Sequence, residues 1–214
     1  MGKEIISVRN VYKSFKEGDI LKNVSVEFEK GKIHGLIGRN GSGKTMLLKC
    51  ICGFVPVTSG EIFVNGKSIG KDKDVPDDVG IIIESPGFLP NYSGYNNLKF
   101  LDMINKRIGK EEIEESIRKV GLNPHSKKWV SKYSLGMRQR LGIAQAIMES
   151  PSILILDEPM NGLDSSGVND IRRLLQELRD EGKTILLASH MKEDIEMLCD
   201  SVCKMEAGRL TSIM

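Results

Sequence analysis

Residues 38 to 45 read GRNGSGKT, and this octapeptide constrains the fold more than any other stretch of the chain. Glycines at 38, 41 and 43 open backbone turns closed to residues with a Cβ, so that successive N–H groups can converge on phosphate oxygens. Lys44 then reaches the β- and γ-phosphates as a point charge, and the Thr45 hydroxyl supplies one ligand to the accompanying Mg2+. The flanks agree. Residues 32–37 (KIHGLI) read as a short buried strand running into the loop. Residues 45–52 (TMLLKCIC) read as a helix that begins at Gly43 and adds its N-terminal partial charge to the same anion. With 22 glycines in the chain, an accidental glycine-rich turn is the competing explanation, and the strand–loop–helix setting argues against it. The expected site is Gly38, Arg39, Asn40, Gly41, Ser42, Gly43, Lys44, Thr45 and Met46, holding a nucleoside triphosphate.

At 214 residues the chain can bury a sizeable core as one domain, or one domain with a lobe, and is too short for two full domains. Its net charge of +2 selects no partner, and bulk electrostatics do not imply nucleic acid. No stretch reaches the roughly 18 consecutive apolar residues of a membrane span, and MGKEIISVRN at the N-terminus has no apolar core of signal-peptide length. The expectation is a soluble, cytoplasmic chain. Gly2 opens a myristoylation-like start, but Ile6 stands where Ser or Thr is required. Cysteines 50, 52, 199 and 203 have no zinc-site spacing and read as reduced core residues.

Along the first thirty residues Val24, Val26 and Phe28 alternate with Ser25, Glu27 and Glu29, the pattern of half-buried antiparallel strands. Residues 61–64 (EIFV) before Asn65 and Gly66 predict a strand entering a tight turn. Apolar runs at 79–83, 153–156 and 184–188 suit strands covered on both faces of a parallel sheet. Between them Ile113, Ile117 and Val120, then Ile171, Leu174, Leu175 and Leu178, then Met191, Ile195 and Leu198 recur at helical spacing. Residues 91–150 show several helices and no convincing strand, as an inserted helical lobe would.

Two further segments bear on chemistry. ILILDEP at 153–159 delivers Asp157 and Glu158 to the C-terminal end of a strand, the edge where α/β sheets keep their ligands. Asp157 suits the metal beside Thr45, and Glu158 suits a general base or an orienting group for an attacking water; a solvated acidic strand end is the plainer explanation. YSLGMRQRLGIAQAI at 133–147 begins with a good N-cap, Ser134, so the following helix offers backbone donors to an anion. Taken alone, it reads equally as an ordinary capped helix.

Together these segments resemble the ATP-binding cassette family, whose signature loop has a Ser-Gly-Gly-Gln core. Ser134 and Gly136 match, while Leu135 and Met137 replace the first glycine and the glutamine. The resemblance runs along nearly the whole chain. Asn161, Gly162, Leu163 and Asp164 resemble the loop after the catalytic glutamate, which places Asp164 at a dimer interface. His190 after TILLAS resembles the switch histidine that contacts the γ-phosphate. Phe15 stands where the family stacks a ring on adenine, with Tyr12 as its competitor and a core role for either still open. Glu84 replaces the family's glutamine, and with Pro86, Asn91, Gly94 and Asn97 it is similar to ATPase subunits of bacterial exporters for bacitracin-like and lantibiotic peptides. A carboxylate there would be a harder, charged ligand for Mg2+.

The resemblance implies an α/β fold: a P-loop nucleotide triphosphatase with a RecA-like, mostly parallel sheet, an N-terminal antiparallel β subdomain and an inserted helical subdomain. Residues 1–214 would form one nucleotide-binding domain, with 1–90 and 151–214 as core and 91–150 as the helical part. It implies ATP and Mg2+, the metal at Thr45, Glu84 and Asp157, and catalysis by Glu158, His190 and Lys44. Two subunits, alike or different, would sandwich two ATP molecules head to tail, each between one phosphate loop and the other chain's Ser134, Leu135, Gly136 and Met137. A separate permease would receive the motion, with the chain peripheral on the inner face of the membrane. A cassette ATPase that drives no transport is the alternative; a permease encoded beside it would decide. A GTPase or small-molecule kinase leaves Ser134, Gly136 and His190 unexplained.

Overall fold

In the computed structural model, the alternation of the first thirty residues folds as a long hairpin. Residues 4–84 and 87–213 are described, the side chains of Asn105 and Lys192 excepted; Gly2 and Pro86 lie outside them. β1 (Glu4–Phe15) and β2 (Gly18–Glu29) pair antiparallel, with Val24 and Phe28 buried and Ser25 and Glu27 exposed. β3 (Ile33–Ile37) then runs into the phosphate loop, and α1 (Lys44–Ile51) leaves it. β4 (Ser59–Val64) and the two-residue β5 (Lys67–Ser68) meet through Asn65 and Gly66 at φ 52° and 75°, the left-handed pair that a tight hairpin demands. These strands make an antiparallel sheet in the order β2-β1-β4-β5.

The second sheet has the order β10-β9-β3-β8-β7-β6. β6 (Val79–Ile82), β7 (Ile153–Asp157) and β8 (Thr184–Ser189) arise from the three apolar runs and lie parallel with β3. β9 (Ser201–Glu206), also parallel to β3, and the antiparallel β10 (Arg209–Ser212) were not expected from periodicity. They are short and lie near the C-terminus, where polar residues interrupt the pattern.

Every residue of β7 and β8 is buried, and successive side chains enter different cores. Ile153 and Ile155 join Val8, Phe28, Leu47 and Leu48, so α1 is packed between the two sheets. Leu154 and Leu156 join Leu98, Ile117, Leu141 and Leu175 on the other face. Double covering removes the polar face, which is why these strands read as apolar runs instead of alternating.

Residues 91–150 hold α2 (Gly94–Asn105), α3 (Lys110–Lys119) and α4 (Leu135–Ile147), with no strand among the described residues. α4 presses directly on β6: a Cβ added at Gly80 would collide with the carbonyl of Ala146. α5 (Ser165–Asp180) and α6 (Lys192–Leu198) complete the chain's helices, the former burying the predicted stripe of Ile171, Leu174, Leu175 and Leu178. All four cysteines are free thiols, and burial pushes Cys50 up to about 11 and Cys52 and Cys199 up to about 12, well away from reactivity.

Candidate nucleotide site

Because β3, β7 and β8 are parallel neighbours, their C-terminal ends open at one edge of the sheet. The phosphate loop follows β3, Asp157 and Glu158 end β7, and His190 follows β8. The sequence motifs, from Gly38 to His190, are thereby brought together at the crevice where such sheets bind ligands.

The loop is held open from behind. Gly38 and Gly43 take φ of 158° and 112°, and a Cβ at Gly38 would strike the carbonyl of Met205. The turn after β9 supports the same loop, with the N–H of Gly208 donating to Ser42 O at 3.0 Å. Lys44, only 6% exposed, donates from Nζ to Gly38 O at 2.7 Å, which sets its ammonium at the loop's own mouth. Residues 39–46, with Ile20, Asp157 and Glu158, line a cleft of 380 Å³.

Thr45 Oγ1 donates to Asp157 Oδ2 at 2.6 Å. Two buried oxygens of residues lining this cleft, Asp157 Oδ1 and Ser42 Oγ, have no hydrogen-bond partner among the described residues. Buried polar atoms rarely stay unsatisfied, so this pair of orphans points to a ligand. A hydroxyl and a carboxylate, leaving room for phosphate oxygens, are the hard donor set Mg2+ accepts. The residues present fit the ion.

Glu84, expected as a third metal ligand, is not brought to Thr45 or Asp157 by any described contact. Its Oε1 pairs with Lys49 Nζ at 2.6 Å on the flank of α1, and its backbone is left-handed at φ 62°. The physical reason is that Lys49 lies one helical turn beyond Thr45 and offers a full positive charge close by. Sequence reading had no means of finding Lys49, since the pairing spans two elements.

Glu158 sits at φ 50°, a rare conformation for a residue with a side chain, and is pinned there. Its N–H donates to Ala188 O at 2.9 Å, and its carbonyl accepts from buried Gln139 Nε2 at 3.4 Å. Its Oε2 lies 2.8 Å from His190 Nδ1. A carboxylate only accepts, so Nδ1 carries the proton in this contact. The two residues expected to act on a water and a γ-phosphate thus meet each other directly.

Ser134 caps α4 as expected, its Oγ accepting from Met137 N at 3.2 Å. Ser134, Leu135, Gly136 and Met137 line no part of the chain's own cleft, and Leu135 is 65% exposed. Gly136 packs against the carbonyl of Gly162, where a Cβ would come within 2.8 Å, so the signature loop and the loop before Asp164 are one surface. Asp164 is exposed and caps α5, its Oδ1 accepting from Gly167 N at 2.9 Å. Phe15 is exposed at the tip of the β1–β2 hairpin with the Lys13 ammonium 4.5 Å above its ring; Tyr12 pairs instead with Ser59 of β4. Ile20, which lines the cleft, was missed because a lone apolar residue on a strand carries no signal.

The sequence matches the ABC transporter family over residues 21–161. The chain belongs to the ABC transporter family. It is the ATP-binding, ATP-hydrolysing subunit of such a transporter. It is 47% identical over 206 residues to the uncharacterised ABC transporter ATP-binding protein YybJ of Bacillus subtilis, covering 96% of this chain and 94% of the relative. It is 40% identical over 208 residues to the bacitracin transport ATP-binding protein BcrA of Enterococcus faecalis, covering 96% and 68%. To the lantibiotic transport ATP-binding protein SrtF of Streptococcus pyogenes it is 38% identical over 206 residues, covering 96% and 89%. Among solved structures, the ATP-binding cassette MJ0796, dimeric in a post-hydrolysis state with ADP and Pi, shares the fold at TM-score 0.87 and 22% identity, over 98% of this chain and 99% of that one. CbiO1 from Clostridium perfringens, part of the ABC transporter complex cbiONQ, matches at TM-score 0.84 and 27% identity, over 98% and 88%. The α/β cassette fold of the ATPase, with its parallel core and antiparallel sheet, is as expected. Among the described residues no helix is long and apolar enough to cross a membrane.

Proposed function

We propose that this ATPase subunit closes head to tail on a second ATPase subunit over two ATP molecules and drives a separate permease that exports peptide-type antibiotics. The observation that carries the dimer is the signature loop. A capped helix end with an exposed Leu135 lines no part of its own chain's cleft, which supports a role for it toward another molecule. Its contact with Gly162 couples it to Asp164, so both belong to that closing surface.

In this reading residues 38–46 bind the triphosphate and Phe15, which pairs with Gly18 two residues before Ile20 on the hairpin, stacks on the adenine. Thr45 and Asp157, with Glu84 on the flank of the same helix as Thr45, would hold Mg2+, which would neutralise phosphate charge. Glu158 orients and deprotonates the attacking water, His190 holds Glu158 and the γ-phosphate side of the cleft in register, and Lys44 stabilises the charge that develops on the phosphoryl group. Residues 1–90 and 151–214 act as the core of one nucleotide-binding domain, and 91–150 as its helical arm.

That arm supports a membrane partner. Leu89, Tyr92, Phe100, Met103, Ile104 and Trp129 are exposed, and Tyr92 meets Phe100 edge-on at 5.0 Å. Phe100, Met103 and Ile104 follow one helix face, while buried Asn97 clamps Leu89 by both its N–H and its carbonyl. A contiguous apolar patch of this kind marks a protein contact. The ATPase then sits on the inner face of the membrane, and the relatives named for bacitracin and lantibiotic transport support a peptide cargo and favour transport over a purely regulatory role.

The test is Glu158→Gln. The variant is expected to bind ATP, to run as a dimer with ATP in size-exclusion chromatography, and to lose turnover by roughly a hundredfold or more. Normal hydrolysis by this variant would falsify the base assignment, and a monomer at saturating ATP would refute the sandwich.

A further inference from the structure

Behind His190 lies a buried polar chain that the nucleotide motifs do not account for. Arg172 of α5, with 11% of its side chain exposed, grips Asp194 of α6, with 1% exposed. Both bonds go to Asp194 Oδ1, from Nε at 2.9 Å and from Nη2 at 2.6 Å. Exposed Glu193 approaches the same guanidinium at 3.5 Å from the rim. The other carboxylate oxygen, Oδ2, accepts from the buried Ser189 hydroxyl at 3.2 Å, and Ser189 Oγ in turn accepts from Met191 N at 3.1 Å. Ser189 and Met191 flank His190, whose Nδ1 stands 2.8 Å from Glu158 Oε2.

A buried ion pair is a poor way to glue two helices together, because desolvation offsets most of its attraction. Leu174, Leu175 and Leu198 already belong to one apolar cluster at this seam. What the charges add is direction. With Oδ1 occupied by the guanidinium, Oδ2 is fixed in place, and the Ser189 hydroxyl has one acceptor to point at. Its lone pairs then face Met191 N, which closes the backbone around His190 into a tight turn. His190 itself is half exposed and has no other described contact to hold it.

We infer that Arg172, Asp194 and Ser189 are positioning residues that deliver the His190 imidazole to Glu158. This rests on the proposed roles of His190 and Glu158 in hydrolysis. None of the three lines the cleft, so their effect on turnover passes through His190 and leaves nucleotide binding alone.

The test is steady-state ATPase of the full chain together with its thermal unfolding midpoint. Ser189→Ala keeps the ion pair and removes only the relay: kcat should fall roughly tenfold or more, as misplacement of a reacting group does, with KM for ATP unchanged and the midpoint within about 2 °C of wild type. Ser189→Thr, which keeps the hydroxyl, should restore kcat. Arg172→Leu with Asp194→Leu removes both charges at once, leaves none unpaired, and should reproduce the kcat loss while retaining the folded state. His190→Ala separates the two levels of the argument. If it abolishes turnover while Ser189→Ala hydrolyses ATP like wild type, the positioning role is overturned and the reading of the site stands. A kcat loss in Ser189→Ala that follows a falling midpoint also overturns it, in favour of a merely structural bond. If His190→Ala hydrolyses normally, both the reading and the inference fall.

Discussion

At the scale of the residue, the structure shows how much of a side chain's behaviour depends on what burial does to it. His34 is the clearest case. Its Nε2 faces the carbonyl of Glu29 at 2.8 Å, which only accepts, so Nε2 carries the proton and Nδ1 accepts from Ser201 Oγ at 2.7 Å. Burial holds its pKa below the ordinary 6.5, because the protonated form is poorly solvated. Between the folded and unfolded pKa values the unfolded chain binds more protons, so stability rises with pH through that window. The contribution of His34 is therefore present in full above 6.5 and is lost as pH falls from there toward the folded value. Urea midpoints at about pH 7.5 and about pH 5.5 should show a steeper decline for wild type than for His34→Gln. Equal declines would refute it. Glu84 teaches a related lesson. Its identity was legible and its pairing with Lys49 was not, because Lys49 stands on another element.

At the scale of the element, local pattern was a good guide wherever one face met one environment. The hairpin of β1 and β2 showed its alternation, α5 its apolar stripe, and the doubly covered β7 and β8 their unbroken runs. β9 and β10 escaped notice because their strand character depends on a neighbour: β9 pairs with β3, some 170 residues earlier in the chain. Yet that late hairpin backs the phosphate loop through Met205 and Gly208. Element packing also explains glycines that the motifs do not need. At Gly80 the backbones of β6 and α4 nearly touch, and the added Cβ would also lie 2.8 Å from Leu154 Cδ2. Gly80→Val should destabilise the fold by roughly 1–3 kcal/mol through overpacking, measured by urea unfolding. A wild-type midpoint would mean that α4 is free to move off the sheet.

At the scale of the whole molecule, the two surfaces to which the proposed function assigns roles lie apart in the sequence. One carries the phosphate loop, Asp157 and Glu158 in a cleft; the signature loop and Asp164 lie outside it. The other is the apolar patch on α2 and the loop before it. Phe100→Glu combined with Ile104→Glu should leave basal ATP hydrolysis intact and abolish co-purification with the permease from solubilised membranes. Retained co-purification would move the docking site elsewhere. Sequence alone marked this chain as one that binds a triphosphate and foretold its phosphate-loop motif, the parallel and antiparallel strands and the run of helices between them, because each of those features is written in short local runs. Only the tertiary structure decided that Glu84 pairs with Lys49, that β9 and β10 back the loop, that Glu158 meets His190, and that Arg172 reaches Ser189 through Asp194. Each of those depends on charges or carbonyls contributed by segments far apart in the chain, and a sequence carries no record of distance until the core has closed.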